Sequence, residues 1–206
     1  RWLDPTQPLA KVVLEPAHGV MLTSATLCER GPAGEDWQTA IARSGAAHLE
    51  TTPMIASADS PFDYASQAEV LIVTDVKRGD IPALAGAYAR LIEASQGGVL
   101  GLFTAIRRLR AVHGRIVDRL ARAGLPLYAQ HVDPIDTGTL VDIFRDDPRA
   151  SLLGTDALRD GVDVPGHSLR CVVMEQVRWP KPSILQRARR AANGGSAHDD
   201  RIIRAR

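Results

Sequence analysis

The sequence predicts an α/β protein whose core is a parallel β-sheet covered by helices. Three observations support this: short apolar runs alternate with longer amphipathic stretches, the short runs are rich in Val, Ile and Leu, and the 206 residues are 45% hydrophobic. Strands of a parallel sheet are buried on both faces, so they read as nearly continuous apolar runs. Their alternation with helical patterns is typical of this class.

Six segments have the composition of buried strands, since each is short, apolar and bounded by turn residues. In chain order they are Val20–Ser24, Val70–Thr74, Val99–Phe103, Leu127–Gln130, Ser151–Gly154 and Leu169–Glu175.

Three longer segments have a helical pattern of apolar residues. They are Asp80–Ser95, Ala105–Ala123 and Thr137–Asp146. Asp80 and Thr137 are suited to N-caps because a side-chain oxygen can accept from a free N–H of the first turn. Gly97 and Gly124 are suited to helix ends, where a left-handed backbone is common.

The composition excludes several classes of protein. An ordinary balance of 45% hydrophobic and 24% charged residues excludes disordered and collagen-like chains. The apolar runs fall far below the roughly 18 residues that span a bilayer, so no membrane is expected. Cys28 and Cys171 are far apart and form no paired motif, which argues against a disulfide framework or a cysteine metal site and favours a cytoplasmic location.

The charge is distributed unevenly along the chain. Residues 1–100 carry 7 basic and 12 acidic side chains, whereas residues 101–206 carry 18 and 12. Arg accounts for 22 of the 25 basic residues, and its planar guanidinium suits bidentate contact with phosphate. An acidic half followed by a basic half indicates nucleotide or nucleic-acid binding in the second half, although arginine-rich, lysine-poor usage can also simply follow genome base composition.

The most distinctive segment is residues 151–166, SLLGTDALRDGVDVPG. It leaves an apolar strand and enters a glycine-bearing loop, which is where open α/β sheets bind ligands. Gly154 and Gly161 would let the backbone approach a phosphate, Thr155 offers a hydroxyl, and Asp163 can accept from a ribose hydroxyl. A long surface turn between two strands is the alternative interpretation.

This segment resembles motif V of superfamily 2 helicases, in particular the DinG/XPD-type DNA helicases. Three further blocks occur in the family's order. Residues 20–27, VMLTSATL, resemble motif III, residues 60–64, SPFDY, resemble the segment before the second motor domain, and residues 97–105, GGVLGLFTA, resemble motif IV. Trp179 and Pro180 lie where the family has an aromatic–proline element.

The resemblance implies a division into two RecA-like motor domains. Residues 1–58 would be the end of the first domain, with motif III and a connecting segment. Residues 59–206 would be the second domain, a parallel sheet flanked by helices that lacks motif VI. Because the chain opens at Arg1 and shows no phosphate loop or D-E-A-H block, we expect a fragment that does not hydrolyse ATP alone.

The resemblance also implies roles for individual residues. Coupling between hydrolysis and DNA grip would fall to motif III, namely Thr23, Ser24, Ala25 and Thr26. DNA phosphates would be contacted by Thr104, Thr155, Arg107 and Arg108. The nucleotide cleft would be faced by Asp160 and Asp163, with Gly154 and Gly161 beside the nucleotide. Arg159 and Asp160 replace the family's Trp-Glu pair, so the acid is kept and the aromatic residue is lost.

The implied partners are single-stranded DNA and ATP with Mg²⁺. The main ligands of ATP and Mg²⁺ would lie outside this chain. The chain has no cysteines in an iron–sulfur pattern. The implied function is ATP-driven translocation and duplex unwinding, in DNA repair or replication. Two alternatives remain open: a non-catalytic nucleic-acid-binding module that keeps the helicase fold, and an unrelated Rossmann-like enzyme acting on a small molecule.

Overall fold

The computed structural model describes residues 4–31, 34–77, 79–159, 162–176, 184, 187 and 188. Up to residue 176, these belong to two compact units, one ending at Glu69 and the other beginning at Val70. No helix in the described part of the chain is long and apolar enough to cross a membrane.

The first unit consists of short elements. Helix α1 (Thr6–Leu9) widens into a π-helical turn at Ala10–Leu14, strands β1 (Glu29–Gly31) and β2 (Gly34–Asp36) form an antiparallel hairpin, and helices α2 (Gln38–Ser44) and α3 (Tyr64–Gln67) follow. A 3₁₀ turn at Ala46–His48 comes after α2. Among the described residues of this unit, the buried apolar side chains are Ala10 and Leu14.

Two predicted strands are wrong. Val20–Ser24 and Val70–Thr74 form no strand within the described part of the chain. Their apolar side chains are exposed, with Met21 at 86% and Val70 at 88% of their full accessible areas. Composition indicates only that a segment would suit a sheet, whereas a strand also needs a neighbouring backbone to accept and donate its hydrogen bonds.

The second unit contains a four-stranded parallel sheet, which confirms the predicted fold class. Its strands are β3 (Val99–Phe103), β4 (Leu127–Ala129), β5 (Ser151–Thr155) and β6 (Cys171–Met174), in the order β4-β5-β3-β6. Strand β3 pairs in parallel with β5 on one side and β6 on the other. Helices α4 (Ile81–Ala94), α5 (Ile106–Arg122) and α6 (Thr137–Asp146) occur between the strands or before them.

The helices cover both faces of the sheet, because side chains alternate between the two faces along a strand. Val99 and Phe103 of β3 belong to a core shared with α4 and α5. Leu100 and Leu102 belong to a second core, shared with Phe144 of α6. All five residues of β3 are buried, as expected for the central strand of a parallel sheet.

Gly101 gives α4 room to pack against the centre of the sheet. A Cβ at this position would lie 2.6 Å from Cδ2 of Leu153 and 2.7 Å from Cε1 of Tyr88. The Tyr88 ring stacks on Phe103 with centroids 5.0 Å apart, and its hydroxyl donates to the Val173 carbonyl at 3.4 Å. Tyr88 therefore connects α4 to strands β3 and β6.

The helix ends follow the predicted signals with one exception. Asp80 accepts from the Ala83 N–H at 2.9 Å at the start of α4. Gly97 and Gly124 have φ of +88° and +67° just beyond α4 and α5. The N-cap of α6 is Asp136, which accepts from the Thr139 N–H at 3.1 Å, so the prediction of Thr137 is wrong.

Arg170 connects the loops at the amino edge of the sheet. Its guanidinium donates to the carbonyl oxygens of Ser95 at 3.1 Å and of Gln96 and Pro148 at 2.9 Å each, and also to that of His167. Since carbonyls at the end of a helix lack partners within the helix, a cation there stabilises the end of α4.

Candidate functional site

Each of the four parallel strands ends in a polar residue at the carboxyl edge of the sheet. Thr155 is the last residue of β5, while Thr104, Gln130 and Glu175 directly follow β3, β4 and β6. Because the strands are parallel and Phe103 is aligned with Thr155, these four side chains meet at one edge. We call this group the carboxyl-edge cluster.

Glu175 organises one half of the carboxyl-edge cluster. Its Oε2 accepts from the Thr104 hydroxyl at 3.0 Å and from the Thr104 N–H at 3.3 Å. Its backbone N–H donates to the Leu102 carbonyl at 3.0 Å. The side chain is 0% exposed, so a buried carboxylate ties the ends of β3 and β6 together.

Arg108, in the first turn of α5, compensates the charge of that buried carboxylate. Its Nη2 lies 2.6 Å from Oε1 of Glu175, and its side chain is 21% exposed. A buried carboxylate without a cation or hydrogen-bond donors would be strongly destabilising. The charge contact with Arg108 and the two Thr104 donors offset part of the cost of burying Glu175, while Oε1 of Glu175 and Nε of Arg108 are buried without a hydrogen bond in the described structure.

Gln130 organises the other half of the cluster. Its Oε1 accepts from the Thr155 hydroxyl at 2.9 Å and the Thr155 N–H at 3.1 Å, and its Nε2 donates to Oγ1 of Thr137 at 3.1 Å. Gln130 is 8% exposed, and its own N–H donates to the Leu153 carbonyl at 2.9 Å. The Thr137 hydroxyl accepts this bond while Asp136 caps the helix.

Both threonines therefore use their hydroxyl protons inside the protein. Thr104 also accepts from Nε2 of Gln176 at 2.7 Å. A threonine hydroxyl has one proton to donate, so a phosphate oxygen would have to displace Glu175 or Gln130 to receive it. The structure places Thr104, Thr155 and Arg108 in one cluster, and their contact with DNA stays a prediction.

Helix α5 begins beside the cluster and carries a row of exposed arginines from its first turn to its last, so that only the first of them lie near the cluster. Arg107, Arg110, Arg115, Arg119 and Arg122 are exposed. Arg119 makes a bidentate pair with Glu93 of α4, at 2.7 Å for each contact. The Arg119 hydrogen bonds lower the pKa of the Glu93 carboxyl, and those same bonds raise the pKa of Arg119.

Two other arginines of this row bind backbone carbonyls. Arg110 donates to the carbonyl of His131 at 2.9 and 3.1 Å, and Arg115 donates to that of Ala111 at 2.8 Å. These bonds fix part of the row, while each guanidinium keeps its full positive charge.

The predicted nucleotide residues are only partly described. Asp160 and Gly161 lie outside the described residues. Asp163 is exposed, and its backbone carbonyl accepts from Nε and Nη2 of Arg145 at 3.3 Å each. A Cβ on Gly154 would lie 2.2 Å from Cδ1 of Leu158, so Leu158 occupies the space beside this glycine.

The described residues contain no group of three His, Cys, Asp or Glu side chains that could hold a metal ion. Asp163 alone does not make a Mg²⁺ site, because Mg²⁺ needs several oxygen ligands and is usually held by one or two carboxylates together with substrate phosphates and waters.

In the first unit, the four residues of the predicted coupling motif form an exposed turn. Thr23, Ser24, Ala25 and Thr26 are all exposed. Oγ of Ser24 accepts from the Thr26 N–H at 3.2 Å and lies 3.3 Å from Oγ1 of Thr26. These are local contacts of a turn, and the coupling role stays a prediction.

Sequence reasoning did not identify Gln130 or Glu175 as site residues. Each stands at the end of a predicted strand, Leu127–Gln130 and Leu169–Glu175. A polar residue that closes an apolar run in a predicted parallel sheet was the available signal, because ligands bind outside the carboxyl ends of such strands.

Comparison with known proteins gives a helicase family model and relatives that are named DinG. A family model described as a helicase C-terminal domain matches residues 88–200. The 3'-5' exonuclease DinG of Bacillus subtilis (strain 168) is 30% identical over 187 residues, covering 87% of this chain and 19% of that protein. The ATP-dependent helicase DinG of Mycobacterium tuberculosis (strain ATCC 25618 / H37Rv) is 42% identical over 113 residues, covering 52% of this chain and 16% of that protein. The chain thus spans less than a fifth of the length of these relatives, and no solved structure matches it.

Proposed function

The chain belongs to the helicase C-terminal domain family, as a region of the DinG type, and we propose that the intact protein is a helicase that uses ATP to move along single-stranded DNA and unwind duplexes. The observation that carries this proposal is the family match over residues 88–200, which includes the whole parallel sheet and its carboxyl edge. A role in DNA repair or replication is part of the same proposal.

The proposed DNA-contacting residues are Thr104 and Thr155 of the carboxyl-edge cluster together with Arg107 and Arg108 in the first turn of α5. Thr104 follows β3 and Thr155 ends the neighbouring strand β5, while the two arginines open the helix beside them. Phosphate contacts position a strand without reading its bases, which suits an enzyme that moves along any sequence. Aromatic residues make up 4% of the chain, so base stacking would contribute little.

In this proposal the two regions of the chain have different tasks. Residues 1–58 are the end of a first motor domain, where Thr23–Thr26 couple hydrolysis to DNA grip. Residues 59–206 are the second motor domain, where Asp160, Gly161 and Asp163 face the nucleotide and Gly154 lies nearby. The resemblance implies that the Mg²⁺ and the triphosphate are held mainly by other parts of the intact protein.

The proposal is tested first by DNA binding. We expect a fluorescently labelled oligothymidine to bind the chain with micromolar or weaker affinity, measured by anisotropy. The logarithm of the association constant should fall by about 0.7 per neutralised phosphate for each decade of salt. Arg107→Gln should reduce that slope, whereas Arg43→Gln, which removes an exposed arginine of the first unit, should not. Absence of binding at low salt, or tight binding that ignores salt, contradicts the proposed surface.

A second measurement separates a motor from a binding module. The intact protein should hydrolyse ATP faster when single-stranded DNA is added, and this chain alone should not hydrolyse ATP. An intact protein that binds DNA but shows no DNA-stimulated hydrolysis would instead be the non-catalytic module.

A further inference from the structure

We propose that Glu175 is a positioning residue that cancels the charge of Arg108 and engages the Thr104 donors, leaving Arg107 as the cation of the first turn of α5 that meets the DNA backbone. This inference rests on the proposed function and refines it. It distinguishes between two adjacent arginines that the sequence alone treats as equivalent.

Glu175 occupies both hydrogen-bond donors of Thr104. A phosphate at the end of β3 would be held by the Thr104 N–H and hydroxyl, and both of these donate to Oε2 of Glu175, at 3.3 and 3.0 Å. Carboxylate and phosphate oxygens accept from the same kinds of donor. While the carboxylate is in place, Thr104 therefore has no free donor for DNA.

Arg107 and Arg108 differ in whether an acidic side chain compensates their charge. Arg108 and Glu175 are in contact at 2.6 Å, with side chains 21% and 0% exposed, so the pair carries no net charge. Arg107 is exposed and has no ion-pair partner among the residues described. Binding driven by counterion release depends on the number of cations that neutralise phosphates. On this basis Arg107 contributes to the salt dependence of DNA binding and Arg108 does not.

Arg108 and Glu175 differ in burial. The carboxylate is enclosed, but part of the Arg108 side chain reaches the surface. If the carboxylate lost its charge, the guanidinium could turn toward solvent, because Arg carries its charge on a long flexible stem. Neutralising Glu175 should therefore add a cation to the DNA-contacting surface.

The test uses Glu175→Gln, which keeps the size of the side chain and removes its charge. In the anisotropy titration, Glu175→Gln should steepen the salt dependence by about 0.7, which is about fivefold in affinity per decade of salt. Arg107→Gln should flatten it by a similar amount. In an Arg108→Gln background, Glu175→Gln should produce no such steepening, because there is no masked arginine to release.

Two results would overturn the inference: Glu175→Gln with the parental or a flatter slope, or the same steepening in the absence of Arg108. The same steepening without Arg108 would show a general effect of charge. If Glu175→Gln fails to fold, the matched variants Arg107→Gln and Arg108→Gln still test the inference. The first must flatten the slope at least twice as much as the second, and equal effects contradict the assignment.

Urea unfolding of the same variants separates this inference from the proposed function. If the chain binds no DNA, the proposed function fails, yet the pairing is still measured. Glu175→Gln should lower the urea midpoint much less in the Arg108→Gln background than in the parent. Equal shifts in both backgrounds would show that the two residues are not coupled, whatever the result with DNA.

Discussion

Replacing Gly101 by Ala adds a single methyl group at the centre of the sheet and should destabilise the second unit. The new Cβ would lie 2.6 Å from Cδ2 of Leu153 and 2.7 Å from Cε1 of Tyr88. These distances are far inside van der Waals contact, and the two neighbours are 0% and 1% exposed. Neither can move into solvent, so the strain must be absorbed by the core.

The size of the effect follows from two opposing terms. Ala in place of Gly inside a strand gains about 0.5–1 kcal/mol because the unfolded chain loses less freedom. An extra methyl group in a well-packed core costs about 1–3 kcal/mol. The Tyr88 ring is also held by Phe103 and by the Val173 carbonyl, which favours the upper half of that range. We expect a net loss of roughly 1–2 kcal/mol.

Gly114→Ala is the matched control, since it makes the same chemical change in the interior of α5. Apart from its chain neighbours and the backbone of its own helix, a Cβ there would have no heavy atom within 4 Å. This variant should gain about 1 kcal/mol from helix propensity. Urea unfolding followed by circular dichroism measures both variants against the parent. A Gly101→Ala midpoint at or above that of the parent, or a fall of equal size in both variants, would refute the packing argument.

Three further variants test other contacts of the second unit. His113→Leu should leave the free energy of unfolding unchanged or raise it by about 1 kcal/mol, since the Nε2 of this 9%-exposed side chain has no hydrogen-bond partner in the described structure. Arg170→Ala should lower it by about 1–2 kcal/mol by removing four hydrogen bonds of an exposed guanidinium, which water replaces in part, whereas Arg122→Ala should have little effect. Asp136→Ala should destabilise more at neutral pH than in strong acid. Bonds from the Thr139 hydroxyl and N–H lower the pKa of Asp136, so the stability that its charge adds is present above the usual aspartate range and is lost as the pH falls through the lowered value. Urea titrations of parent and variant at neutral and acid pH measure the difference, and a difference of equal size at both would contradict the expectation.

The second unit could be predicted from sequence largely because its elements combine a hydrophobic pattern with capping or turn residues at their ends. Strand β3 is a run of five apolar residues between glycines and a threonine, and it is buried throughout. Helix α5 has its apolar residues on one face and ends before Gly124. Local sequence determines such features, since periodicity and caps act within a few residues.

What could not be predicted depends on contacts distant in sequence. Val70–Thr74 has strand composition but no partner strand in the described structure, and its side chains are exposed. The bond between Thr104 and Glu175 joins residues separated by 71 positions. The partner of the Thr137 hydroxyl is Gln130, at the end of another element, while Asp136 caps α6. No local pattern contains the pairing of residues on different elements.

The strand order determines how this unit can fold as it is synthesised. Strand β3 is translated before both of its neighbours, and Leu100 waits for Leu152 on one side and Val172 on the other. At about 5–20 residues per second, β5 follows β3 after roughly 3–10 s and β6 after roughly 4–14 s. Until β5 has been made, β3 has no neighbouring strand of its own sheet, although α4 and α5 can already pack together. During this stage the backbone groups of the apolar segment VLGLF are unpaired, which makes the nascent chain prone to aggregation.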